Sequence, residues 1–374
     1  MSTPASTIAG AAALREHFAR VVLPMWRGPG FNEALGLPYE AVAGDGRTPL
    51  PVTRYRAMAC ARQLFVFSQA GAAAHAQRLF DMLLHYFQDH KRGGWFYSVD
   101  AQGAPLDTTK DLYTHAFVVF ACAEYAARSG NRDARDTLLR TSELIETRFA
   151  VRNGEPAHGL LHAALSADFA TVTSSLQQNP LMHLTEAWLA ARDATGDAAF
   201  DSALERLGGA IARVFVHAPT GCIAELPLVA QLQSEGAANR LEPGHQFEWF
   251  WLVRQAGAPL EASGLHEALE RAFRFAQQQG VDPATGGVAA ALDESGRMQD
   301  ATQRIWAQSE YLRALAVHGE AQTRALLPQQ IARFSERFLR PQGWFECKTP
   351  SGEVARDDMP STTPYHLATA YAAL

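Results

Sequence analysis

In EPGHQFEWFW, His245 and Glu248 stand three residues apart, a spacing that puts imidazole and carboxylate on one face of a helix. A carboxylate so placed can bond one ring nitrogen and leave the other to carry a proton, which is how a general base is built. The plain alternative is a histidine merely satisfied near a helix start. His366 enters a final apolar stretch in TTPYHLATAYAAL, at a place in the chain's repeat that corresponds to His245. Asn179 and His183 share a helix face in QQNPLMHLTEAWLA, with simple capping as the other role for Asn179. Trp306 and Glu310 have the same i, i+4 relation in IWAQSEYLRAL. Arg62 lies inside the apolar run ARQLFVFS, where a buried guanidinium needs partners. Either it forms an ion pair with Glu248 or Glu310, or it holds a substrate oxygen. Together with Arg56, Tyr113, His115 and Tyr365, these residues describe proton transfer by histidine beside carboxylates, arginine and aromatic rings. Such rings suit the faces of sugars.

Competing chemistries leave no trace. The chain has no GxGxxG or GxxxxGK[ST] phosphate cradle, no HExxH and no GxSxG elbow, so no cofactor and no metal are expected. Cys60, Cys122, Cys222 and Cys347 are dispersed, as free thiols in a reducing compartment would be. With a net charge of -6 and only three lysines, Lys91, Lys110 and Lys348, the chain offers no basic patch for nucleic acid or an anionic membrane. No run approaches the ~18 apolar residues of a membrane span, and the Ala/Ser/Thr-rich start lacks a basic leader. A cytoplasmic enzyme, monomer or homodimer, acting on a monosaccharide is the expectation.

The elements that must position these side chains recur along the chain. GGWFYSVDAQG (Gly93 to Gly103) returns as GGVAAALDESG (Gly286 to Gly296) and QGWFECKTPSG (Gln342 to Gly352). Turn tetrapeptides between short strand-like runs predict small hairpins. Weaker copies are Gly28 to Pro38, Asn153 to Ala164 and Thr220 to Ala230, so unit starts fall 56 to 66 residues apart. A helix–turn–helix pattern follows each hairpin. Six such units predict an all-α fold, a single (α/α)6 barrel over residues 1–374 with hairpins at one end, an open superhelix being the alternative. The early turns of six parallel inner helices would then converge on one pocket.

Through ARQLFVFS, GGWFYSVDAQG, KDLYTHAF, NPLMHLTEA, EPGHQFEW, IWAQSE and PYHLA, nearly end to end, the chain resembles the N-acylglucosamine 2-epimerase superfamily. That superfamily also holds cellobiose 2-epimerases, D-mannose isomerases and sulfoquinovose isomerase. The resemblance implies an (α/α)6 barrel and metal-free interconversion of sugars at C1 and C2. It implies His245 and His366 as the acid/base pair, Glu248 orienting His245, and Arg62 steadying an enediolate oxygen. Tyr113, Asn179, His183, Trp306 and Glu310 would line the sugar site. His183 in NPLMHLTEA is closer to the mannose-isomerase branch, so D-mannose to D-fructose isomerisation, with D-lyxose to D-xylulose beside it, is expected ahead of 2-epimerisation. Arg240 or Arg304 could receive an anionic group. A glycoside hydrolase is the remaining alternative; its carboxyl pair would be Glu248 with Glu310 or Asp357.

Overall fold

In the computed structural model, which describes residues 8–152, 154, 156–233 and 239–374, twelve principal helices alternate between an outer and an inner ring. The chain starts on the outside with α1 (Ala11–His17), which runs on through a π-helical turn (Phe18–Val22) into Leu23–Arg27. It then passes inward to α2 (Ala57–Gln69), outward to α3 (Ala73–Phe87), inward to α4 (Leu112–Ser129) and outward to α5 (Arg132–Leu144). The alternation continues with α6 (Gln178–Thr195), α7 (Ala199–Val214), α8 (Pro243–Ala256), α9 (Leu265–Gly280), α10 (Ile305–Val317), α11 (Leu327–Phe338) and α12 (Thr363–Ala373).

Burial separates the rings. On α10, eleven of thirteen residues are buried, so this helix is covered on every side. On α11 only Leu327, Gln330, Ile331, Phe334 and Phe338 are buried, the single stripe of a helix with one face in solvent. Each even-numbered helix packs on the next, and α12 returns to pack on α2, which closes the ring and excludes an open superhelix.

Closure has a consequence for the repeat. The sixth unit reaches its inner helix α12 where its outer helix should follow, and α1 from the other end of the chain takes that place. Phe18 meets Tyr371 edge-on at 6.1 Å, and His17 Nε2 lies 2.9 Å from the Arg340 carbonyl. Met359–Pro360 pairs with Ala41–Val42, tying the last unit to the first.

The hairpins form where the turn tetrapeptides stand. Ser98–Val99 pairs with Pro105–Asp107, Ala291–Leu292 with Met298–Asp300, and Cys347–Lys348 with Val354–Arg356. Gly103, Gly296 and Gly352 occupy the same turn position at φ of 86°, 88° and 94°, which favours glycine because a Cβ is strained there. Among the weaker copies, Phe31–Asn32 pairs with Leu37–Pro38, while Asn153 and Glu155 of the third unit lie outside the described residues. The three strong hairpins also pair with the segment that leads into the preceding inner helix, Ser98–Val99 with Tyr55–Arg56, Leu292 with Leu241, and Cys347–Lys348 with Gln303–Arg304. This places these hairpins at the rim above helix N-termini. The four cysteines are free, and no described helix is long and apolar enough to cross a membrane.

Candidate active site

At the N-terminal mouth of the inner ring lies a polar cavity of about 220 Å³. Its lining includes Arg62 of α2, Tyr113 of α4, Asn179 and His183 of α6, His245 and Glu248 of α8, Trp306 of α10 and His366 of α12. Eight of the nine expected site residues therefore meet; Glu310 sits just beneath them. A larger cavity, about 510 Å³, opens at the opposite mouth among mainly apolar walls, but the two histidines proposed as acid and base face the smaller one.

Trp306 lies between the two histidines. Its ring is 5.0 Å from His245 and 5.5 Å from His366, tilted by 35° and 37°. Gly244 permits this packing, since a Cβ there would come within 2.7 Å of the Trp306 ring and of Ala307. Pro243, at the first helical position, starts α8 where its missing N–H costs nothing.

The partner of His245 is not Glu248. Its Nδ1 donates to Glu225 Oε1 at 2.7 Å, with Glu242 at 3.5 Å. Side chains on a helix lean toward its N-terminus, so His245 in the first turn reaches past the helix end to the hairpin, while Glu248 one turn deeper faces the barrel interior. Gln178 fixes Glu225 by donating to it at 3.0 Å and accepts from Trp249 Nε1 at 2.6 Å. Burial works against charge on His245, yet Glu225 and Glu242 outweigh it and raise the imidazole to about 9. His245 is an imidazolium at neutral pH.

His366 is the opposite case. Burial, with Arg62 beside it, holds the ring well below the usual imidazole range, so it is neutral. Its Nδ1 is 2.8 Å from Glu310 Oε1, which makes Glu310 the orienting group for His366 and not a wall of the pocket as expected. With Nδ1 donating, Nε2 keeps its lone pair.

Arg62 makes neither of the expected ion pairs. It donates to Tyr113 Oη at 2.5 Å and to the Thr362 carbonyl at 3.3 Å, and it lies over Phe117 and Tyr365 at 4.1 and 4.7 Å. Its charge faces the cavity without a carboxylate partner among the described residues. Asn179 is not a cap, since Gln177 holds that position; its buried Oδ1 has no protein partner. Burial pushes His183 down to about 3, and its Nδ1 lies 3.6 Å from Glu186 and 3.9 Å from Glu248. Glu248 is raised well above the carboxylate range by burial and by nearby Glu310 and Glu186, and neither of its oxygens has a hydrogen-bond partner.

Three flagged residues serve elsewhere. Arg56 pairs with Glu40 at 2.5 Å. His115 Nε2 accepts from the Trp95 N–H at 3.1 Å, which anchors a hairpin. Tyr365 donates to Glu186 below the cavity. Neither carboxyl expected to pair with Glu248 in a hydrolase lines the cavity: Glu310 lies beneath it, buried against Glu248, and Asp357 is exposed outside it.

Glu225, Glu242 and Glu346 also line the cavity and were not anticipated. A signal existed for two of them. The carbonyls of Glu225 and Glu346 accept from the first N–H of α6 and α10, so both are the same position of the repeated hairpin. Burial raises Glu346, which accepts from Trp344 Nε1 and Thr363 Oγ1 at 3.0 and 2.9 Å. Three buried His/Glu sets, His183–Glu186–Glu248, Glu225–Glu242–His245 and Glu248–Glu310–His366, bring their side-chain donor atoms within 4.8 Å of one another, and tertiary contact completes each of them.

Residues 42–370 match the model of the N-acylglucosamine 2-epimerase (GlcNAc 2-epimerase) family. The chain belongs to this family. It is 28% identical over 372 residues to a mannose-6-phosphate isomerase of Rhizobium meliloti (strain 1021), covering 92% of this chain and 91% of the relative. It is 31% identical over 268 residues to a D-mannose isomerase of Thermobifida fusca, covering 67% and 63%. The structure of a cellobiose 2-epimerase from Spirochaeta thermophila DSM 6192 superposes with a TM-score of 0.83 at 24% identity, over 97% of this chain and 95% of that one. The chain is thus an isomerase-or-epimerase of the family, a carbohydrate enzyme.

Proposed function

We propose that the protein is an aldose–ketose isomerase interconverting D-mannose and D-fructose, with D-lyxose and D-xylulose as further substrates. The observation that carries this reading is a charged and a neutral histidine facing one polar cavity on either side of Trp306. A pair of titratable groups driven apart in pKa is what acid/base catalysis at neutral pH requires.

His245, as imidazolium, donates a proton to the ring oxygen while the anomeric hydroxyl gives its own to solvent water, and the sugar opens; solvent later returns a proton to His245. His366 Nε2 takes the proton from C2, and the electron pair forms the C1=C2 bond of a cis-enediolate. Arg62 supports the developing oxyanion, with Asn179 and Tyr113 beside it. The same proton returns from His366 to C1 on the same face, a proton shifts from the C2 oxygen to the C1 oxygen, and the ketose results. No step needs redox chemistry.

The D-mannose isomerases among the relatives support this outcome. A 2-epimerase is the second reading, favoured by His245, whose proton could return to C2 from the opposite face. Incubation with D-mannose in deuterated water, followed by NMR, tests both. Fructose with little C2 epimer is the expected result; glucose deuterated at C2 would assign an epimerase, and no turnover of any hexose or pentose would defeat both readings.

A further inference from the structure

A layer of buried charge closes the barrel beneath the two histidines. At its centre, Arg313 of α10 donates from Nη1 to Glu310 Oε2 and from Nη2 to Glu186 Oε1, both at 3.2 Å. Its guanidinium rests on the face of Trp251, 3.5 Å from the ring centre. The other oxygen of Glu310 holds His366 Nδ1, and the other oxygen of Glu186 accepts from Tyr365 Oη. One guanidinium thus grips two successive residues of α12 through two carboxylates. Arg313 is 2% exposed and does not line the sugar cavity.

We infer that Arg313 is a positioning residue for proton transfer: through Glu310 it fixes the tautomer of His366 that leaves Nε2 free to take a proton from the sugar. The inference rests on the reading of His366 as the base.

Charge balance is the reason. Glu186, Glu248 and Glu310 share this buried space with a single arginine. Three carboxylates cannot all stay ionised in low dielectric beside one positive charge. Glu186 stays ionised: burial opposes its charge, but His183 and Arg313 hold it at about 2. Glu248 takes the proton, and burial lifts Glu310 to about 6, with Arg313 the main influence pulling it down. Without Arg313, Glu310 would bind a proton and donate its O–H to His366 Nδ1. The imidazole proton would then sit on Nε2, facing the sugar, and the base would be lost.

The opposite mouth makes this testable. Arg313 and Glu186 also line the cavity of about 510 Å³ at the C-terminal ends of the inner helices, with Phe65, Phe120 and Val317. A small cation can therefore reach the place of Arg313 without crossing the sugar site.

The experiment uses full-length Arg313→Ala and Arg313→Lys, with turnover of D-mannose to ketose and epimer together, followed by NMR, as the readout, since both products require abstraction of the C2 proton. For Arg313→Ala, kcat should fall about 100-fold, the loss expected for a misplaced catalytic group, with KM changed little and the acidic limb of the pH–rate profile moved to higher pH. Millimolar guanidinium should restore part of kcat where equal sodium chloride does not, and Arg313→Lys should keep the wild-type limb. An unmoved limb with no rescue in a folded variant would overturn the inference. Nitrogen-15 NMR of the histidines in the wild type and in Arg313→Lys needs no turnover: His366 must carry its proton on Nδ1 in both, and a proton on Nε2 in the wild type would equally overturn it. A wild type that turns over no sugar but shows the Nδ1–H tautomer would instead sink the proposed function.

Discussion

His245 and His366 stand near the mouth ends of α8 and α12 and differ in charge, and the hairpin register sets His366 level with Glu248, not with His245 as expected. His245 leans outward to the rim, where Glu225 and Glu242 surround it and it is an imidazolium. His366 leans on a floor where Arg313 pairs with two carboxylates, Glu186 and Glu310, with Arg62 alongside, and it is neutral. Both rings are buried and both touch Trp306. Burial alone would neutralise each of them; the number and charge of the carboxylates within hydrogen-bond reach decides which one stays protonated. Two histidines at one mouth thus hold different charge because their neighbours differ.

The comparison can be broken most severely at the base. His366→Asn should lower kcat by about 10³-fold, at the heart of the range for general base catalysis, as measured by turnover of D-mannose. Replacing the acid, His245→Asn, and losing more turnover than this would reverse the assignment. Arg62→Gln removes the cation that faces the enediolate and should cost about 10²-fold in kcat, with a smaller effect on KM.

The pH profile sharpens the contrast. Glu310 must be ionised to hold His366, so activity should rise as pH climbs through about 6. His245 must be protonated to act, so activity should fall as pH climbs through about 9. Glu225→Gln removes the carboxylate bonded to Nδ1, so the alkaline limb should move down toward the ordinary imidazole value near 6.5 while the acidic limb stays. A shift of the acidic limb instead would mean that the two histidines share one titrating network. The smallest effect is structural: Gly244→Ala pushes a methyl against Trp306 and should destabilise the fold by about 1–3 kcal/mol, read as a lower midpoint in urea unfolding.

Most of the architecture was legible in the repeat. Turn tetrapeptides placed the hairpins, and the alternation of buried and one-sided helices followed from apolar spacing. The placing of α1 as the outer partner of α12 was hidden, because its evidence is contact between segments far apart in the sequence. In the site, local spacing located His245, His366 and the aromatic walls but misassigned their partners. Glu248 is near His245 in sequence and Glu225 is near it in space. Glu310 read as a pocket wall because it shares a helix face with Trp306, whereas its carboxylate turns to α12. Glu225 and Glu346 could have been found as acidic residues at one position of a repeated hairpin.

By itself the sequence determined the period, the helix pairs, the hairpins and the residues that point into one mouth, since these depend on turn chemistry and on which residues share a helix face. The tertiary structure alone decided which carboxylate bonds which histidine, that Arg62 meets no acid, and that Arg313 anchors the floor. Charge states in a buried site depend on groups a few ångströms away in space, and in a closed ring those groups come from different helices and from both halves of the chain.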